Sequence, residues 1–296
     1  MSSIYEVAQI SKQGHAQNLA REQAFLDQIP ICLGLIDQVR EFHPSMGLRT
    51  IYETYQPEGI GRDAFIALGL ESGYRLRSYR SAMITTRRGP GKVYANLLDS
   101  VRVTDVNQVW VSDLFYYRLR HKDYYVVLIM DAYSRRIIGY SGANNMRAEN
   151  NLRALQMALT LRGINRYDRQ LIHHSDRGSQ YTSEAYTGLL KEREIRISMC
   201  QSALENAHSE RVNGTIKNDY LRAWGVQTTA EFFTRLPQAV HNYNHRPHQS
   251  LKKMSPIEFE IFLKSVPKEK KDVMEFFTMN ITSKQPQNPN QLSLDL

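Results

Sequence analysis

Three apolar runs follow one another with hardly a break between residues 108 and 142, and they limit the folding options of this chain more than any other stretch. Residues 108–118, 124–130 and 136–142 are rich in Val, Ile, Leu and Tyr, the composition of β-strands. Connections this short favour antiparallel neighbours, so the spacing predicts a meander. A helix over 150–162 follows, with Leu152, Leu155, Ala158 and Leu159 on one face. Then come a strand over 170–174, a helix over 182–194, a strand over 195–199 and a long helix from about 205 to 221. The order βββαβαβα calls for a mixed sheet with helices on its faces.

That order is the one found in RNase H-like folds. The expected class is α/β, an RNase H-like mixed five-stranded sheet flanked by helices and preceded by a small all-α, helix-turn-helix-like domain. Residues 1–29 are polar and predict one or two short helices. Residues 30–78 read as three short helices broken at Pro44, Gly47, Gly59 and Gly61, with Ser45 and Gly61 near helix starts. This unit is either a helix-turn-helix module or a helical appendage without contacts of that kind. Residues 79–104 form a basic linker, and 105–265 form the core with its C-terminal helices. A helix over 229–243 within that core is expected to kink or break at Pro237. The Gln/Asn/Pro-rich residues 266–296 read as a disordered tail.

Lys and Arg number 38 against 30 Asp and Glu, a net charge of +8 that favours a polyanionic partner without identifying one. Cys32 and Cys200 lie far apart with no CxxC spacing, which argues against a disulfide framework or a cysteine zinc site. The N-terminus lacks a signal-peptide pattern, and the longest apolar run, 124–130, is too short to span a bilayer. The expected location is the cytoplasm.

Three carboxylates punctuate these elements. Asp113 lies in VWVSDLFYY within the first strand, Asp176 in HHSDRGSQY just after the fourth, and Glu210 in ENAHSERVNGTIK on the last core helix. A lone Asp at a strand end is more often a turn or cap residue. Three acids on elements that one sheet can bring together make a different case, because convergent carboxylate oxygens suit hard divalent cations such as Mg²⁺. Two such ions clamping the attacking and leaving oxygens perform phosphoryl transfer on nucleic acid. Glu210, Asn213, Gly214 and Lys217 stand at i, i+3, i+4 and i+7 and share one face of an α-helix; the plain alternative is a solvated Glu/Lys face. Asp131 reads as shaping a hairpin, Glu205 as a charge at a helix N-terminus, and Trp110 as core. One of His173 and His174 is expected to be buried in its strand. His241, His245 and His248 have metal-like spacing but no nearby cysteine or acid to complete a set.

VWVSDLFYY, YYVVLIMDAYSRRIIGY, HHSDRGSQYTS, ENAHSERVNGTIKNDYL and HNYNHRPHQSLKKMSPIEF, in that order, resemble the integrase core of insertion-sequence transposases. The pattern is that of the second-frame (OrfB) product of the IS-three family, over about residues 30–262. The resemblance implies a DDE recombinase that nicks DNA at element ends and joins the released 3′-hydroxyl to other DNA. It implies Asp113, Asp176 and Glu210 as catalytic, metal-binding residues with two Mg²⁺ or Mn²⁺ ions. Lys217 matches a basic residue associated with the DNA end, and Asn213, Arg211, Arg177 and Arg246 are expected as further DNA contacts. Implied partners are double-stranded DNA, further copies of the chain, and a first-frame (OrfA) product or fusion. The sequence departs from the family at residues 198–206, SMCQSALEN, where Glu205 takes the place of an Asp and the approach to Glu210 is shorter. Two rival readings stay open: a DNA-binding regulator without catalysis, and a nuclease that cuts without joining.

Overall fold

The structure, a computed structural model, describes residues 11–77, 93–99, 101–120, 122–164, 171–200 and 207–276. The expected contributions of residues 1–10, most of the basic linker (78–92), Glu205 and the end of the tail (277–296) lie outside these residues.

The chain begins with three helices, α1 (Lys12–Phe42), α2 (Leu48–Tyr55) and α3 (Arg62–Glu71). Cys32, Ile36 and Val39 of α1 pack with Ile51, Ile60 and Phe65 in a small core of their own. Gly61 is the N-cap of α3, as its position suggests, whereas α2 is capped at Gly47 rather than Ser45. Of the short helices expected within residues 1–29, the described part from Lys12 onward joins the helix expected from Pro30 in one 31-residue helix. Its only buried side chains are those of Cys32, Ile36 and Val39, so most of it carries no apolar period to read.

A five-stranded sheet forms the centre. The strands β2 (Val109–Leu119), β3 (Lys122–Asp131) and β4 (Ile137–Ala143) follow the short β1 (Arg102–Val103) and make the expected antiparallel meander. After α4 (Ala148–Arg162), β5 (Ile172–Ser175) returns parallel to β2; after α5 (Glu184–Glu192), β6 (Arg196–Met199) returns parallel to β5. The order across the sheet is β4-β3-β2-β5-β6, so the first strand of the meander, β2, lies at the centre. This is the RNase H-like arrangement.

Alternation along β2 divides its side chains between two apolar layers. Val109, Val111, Phe115 and Tyr117 face one layer with Val212, Ile216 and Phe232, while Trp110 faces the other with Ala154, Leu155 and Leu190. Gly139 lets α4 lie close on β4: a Cβ there would stand 2.1 Å from the carbonyl oxygen of Ala154.

The long helix expected from about residue 205 is described as α6 (Ala207–Gly214), continued by a π-helical segment, Thr215–Arg222. Next, α7 (Thr229–His245) opens with a Thr228–Glu231 capping box. It continues through Pro237 without the break expected there, held by Phe232, Leu236, Ala239 and Val240 in the core. The last helix, α8 (Pro256–Ser265), places Glu260 between Arg162 and Arg136, at 2.9 and 2.6 Å. Asp131 shapes the β3–β4 turn as read from sequence, its Oδ1 accepting from the N–H groups of Tyr133 and Ser134.

Two stretches read as connector and tail pack on the core instead. Residues 93–99 run beside β6, where Leu97 N–H donates to Ser198 Oγ and Met199 N–H to Ala95 O. Beyond Val266, β7 (Met274–Glu275) pairs antiparallel with β1, and Lys271 meets Asp105 at 2.6 Å. The composition of KEKKD points to solvent; pairing with a strand far back in the sequence is invisible to it.

Candidate active site

Parallel pairing of β2 with β5 sets Ser112 opposite Ser175. Asp113 and Asp176 are the next residue on each strand, so the two acids leave adjacent strands at the same level. Asp113 projects on the face covered by α6, whose Asn213 donates from Nδ2 to Asp113 Oδ2 at 2.8 Å. The N–H of Leu114 donates to Asp113 Oδ1 at 2.8 Å, and the N–H of Gly178 to Asp176 Oδ1 at 2.9 Å. A side chain at Gly178 would collide with that of Gln180, which folds back over it.

Burial, and then the nearby charge of Asp176, push the Asp113 carboxyl up to about 7, with Glu210 adding to the rise. The N–H groups of Leu114 and Asn213 oppose it by favouring the ionised form. Asp176 is also raised, by burial, against the hydrogen bond from Gly178. Three acids therefore bear on one another at Asp113, with Glu210 exposed on the first turn of α6. Among the described residues no three His, Cys, Asp or Glu side chains are gathered tightly enough to form a metal cluster.

The other predicted residues fall differently. Asn213, expected at DNA, is buried and serves Asp113 instead. Lys217 lies in the π segment, whose wider turns shift its angle from the α-helical i+7 position. Its ammonium sits 4.2 Å from the ring centroid of Tyr116 on β2, and burial lowers its pKa. Gly214 has open space where a Cβ would go, with no other group of the described residues within 4 Å of that point. Arg177 donates to the carbonyl of Cys200 at 3.0 Å, which ties the Asp176 turn to the end of β6. Arg246 meets Asp219 of the π segment at 3.4 Å, and Arg211 is exposed beside Glu210.

Both His173 and His174 are fully buried, one bonded to Tyr186 and the other to Ser198. Beneath the two aspartates, Ser112 Oγ and Tyr181 OH stand 3.0 Å apart. Sequence reasoning passed over Ser112 and Tyr181. The only available signal was their position, one before Asp113 and five after Asp176.

The helical region is docked beside this site. Its α1 ends against the core, with Trp224 Nε1 donating to Glu41 O at 3.4 Å and Asn242 Nδ2 to Phe42 O at 2.6 Å. His43 Nδ1 meets the hydroxyl of Tyr220, in the π segment, at 3.0 Å.

The integrase core domain family matches residues 103–203, and a second integrase core domain model matches residues 193–256. The insertion element IS600 31 kDa protein of Shigella sonnei is 32% identical over 206 residues, 68% of this chain and 75% of that one. The transposase InsF for insertion sequence IS3A of Escherichia coli K12 is 36% identical over 129 residues, 43% of this chain and 44% of that one. The chain belongs to the IS-three family of insertion-sequence transposases. As such it is a polynucleotidyl transferase of insertion-sequence transposition. Among solved structures, the HTLV-2 integrase catalytic core domain in complex with magnesium is similar to this transposase, with a TM-score of 0.43 and 18% identity. That likeness covers 56% of this chain and 99% of that one. No helix among the described residues is long and apolar enough to cross a membrane.

Proposed function

We propose that this transposase cuts DNA at the ends of its element and joins the released 3′-hydroxyl to target DNA through Asp113, Asp176 and Glu210. The observation that carries this reading is the β2–β5 register, which pairs Ser112 with Ser175 and so sets Asp113 and Asp176 side by side, with α6 bonded to Asp113 through Asn213. A carboxylate so placed gains most from a cation.

The residues fit Mg²⁺ or Mn²⁺. The donors are carboxylate oxygens, which hard divalent ions prefer. Beside Asp113, Asn213 Oδ1 is a buried acceptor without a hydrogen-bond partner, suited to a water or ion at this place. Asp113, Asp176 and Glu210 would hold two such ions, which supply charge stabilisation to the attacking and leaving oxygens of phosphoryl transfer. Asn213 and the N–H of Leu114 favour the ionised form of Asp113 and fix its direction. Gly178 does the same for Asp176. Lys217, partly desolvated beside Tyr116, presents a positive charge to the DNA end, and exposed Arg211 adds a second. Arg177 and Arg246 act from within, holding the Asp176 turn and the junction of the π segment with α7.

The helices within residues 30–78 would serve as a helix-turn-helix-like DNA-binding unit and residues 105–265 as the catalytic core. Further copies of the chain and a first-frame product complete the assembly, which works on double-stranded DNA in the bacterial cytoplasm.

The test is purified protein, alone and fused to a first-frame product, incubated with Mg²⁺ and labelled element ends. Strand-transfer products that disappear in Asp176→Ala support the reading. Cleavage without joining favours a nuclease, and binding without either reaction favours a regulator.

A further inference from the structure

We propose that Ser112 and Tyr181 are a positioning pair that sets the separation of Asp113 and Asp176, and with it the affinity of the site for a divalent cation. The inference rests on the assignment of those aspartates as metal-binding residues. Strand pairing ends at Ser112 and Ser175, one residue short of both acids. Past that point the separation of the two strands depends on side chains. Ser112 belongs to the strand of Asp113, while Tyr181 closes the 3₁₀ turn Ser179–Tyr181 that follows Asp176. Their hydroxyls, 3.0 Å apart, bridge the two sides.

The turn is itself tied to Asp176. Gly178 N–H donates to Asp176 Oδ1 at 2.9 Å, and Tyr181 N–H donates to Gly178 O at 3.0 Å. A closed path thus runs from Asp176 through Gly178, Tyr181 and Ser112 to Asp113. The Tyr181 ring is held edge-on against Tyr186, 5.6 Å between centroids, and the Tyr186 hydroxyl is paired with His173 Nε2 of β5 at 2.9 Å. Ser112 and Tyr181 are 0% and 1% exposed, so solvent does not compete for the bridge. Phe and Ala would fill the same space in the core. What the two hydroxyls add is direction: one distance, fixed beneath the acids.

The test uses the full chain with Tyr181→Phe, Ser112→Ala and both together. Mn²⁺ binding is measured by calorimetry without DNA, and thermal melting with EDTA serves as the control for folding. Each single variant should bind Mn²⁺ about tenfold more weakly, the lower end of what losing a supporting contact costs a metal site. The double variant should lose no more than Ser112→Ala alone, which removes the bridge together with the interaction of Ser112 with Tyr186. Unchanged Mn²⁺ affinity in folded single variants, or losses that multiply in the double variant, would overturn the proposal. If Tyr181→Phe fails to fold, Ser112→Ala decides alone by the same tenfold criterion. Wild-type protein that binds no Mn²⁺, or Asp113→Asn and Asp176→Asn variants that bind it undiminished, would instead remove the metal assignment, and the positioning role with it.

Discussion

Asn213 reaches from α6 to Asp113 on β2 and donates to its Oδ2 at 2.8 Å, the direct side-chain bond between the proposed catalytic helix and the central strand. Replacing it with Ala removes a donor that favours the ionised carboxylate. Strand transfer should fall by about 10- to 100-fold with the fold retained, as when a supporting partner of a metal site is lost. Asn213→Asp should fall further, because it sets another negative charge beside Asp113. Single-turnover kinetics on pre-nicked ends would check both, and a wild-type rate in Asn213→Ala would make the contact incidental.

The Asp113 carboxyl gives the stability of the protein a pH dependence of unusual sign. Its pKa is about 7 in the folded chain and about 3.9 unfolded, so between those values the folded state holds more protons. The contribution is therefore complete below about pH 4 and is lost as the pH rises through 7, a change on the order of a few kcal/mol. Melting with EDTA across this range should show wild-type stability declining relative to Asp113→Asn. Saturating Mg²⁺ should shrink the difference. Parallel pH profiles for the two proteins would contradict the expectation.

Lys217 should act on DNA by charge rather than by reading bases. Lys217→Gln is expected to weaken binding of element ends and of unrelated duplexes alike. It should also lower the slope of log affinity against log salt by about one. Fluorescence anisotropy over a salt series would measure this. An unchanged slope would confine Lys217 to its contact with Tyr116.

Glu260 holds α8 to the rest of the core. It accepts from Arg162 and Arg136, and from the hydroxyl of Ser134 at 2.7 Å, while being nine-tenths buried. Glu260→Ala removes the carboxylate that Arg136 and Arg162 share, leaving Arg162 with Asp131 at 3.6 Å, and should cost about 3–5 kcal/mol in urea unfolding. Glu260→Gln, which keeps part of the hydrogen bonding, should cost less.

The catalytic half of the fold was readable because its signals are local. Runs of β-branched and aromatic residues marked β2, β3 and β4, and their short connections settled the direction of each strand. The acids followed, since Asp113 and Asp176 sit where the strand limits placed them. What escaped the sequence depended on distant partners. The composition of Met274–Glu275 does not announce pairing with β1. Asn213 looked like a surface residue on a helix face because nothing local reveals the carboxylate opposite. A π segment has no compositional signature that separates it from an α-helix, so the face shared by Glu210 and Lys217 could be read only on α-helical spacing. Pro30 and Pro237 marked breaks that packing, or the helix turns on either side, overrode.

The last turn of α1 is gripped by Trp224 and Asn242, while most of its length stands clear of the core. A helix of 31 residues is about 45 Å long. At that length, a tilt of about five degrees about the inner end corresponds to a displacement of about 4 Å at Lys12. The reach of residues 12–30 is therefore set by the angle at which the Phe42 end of the helix is held.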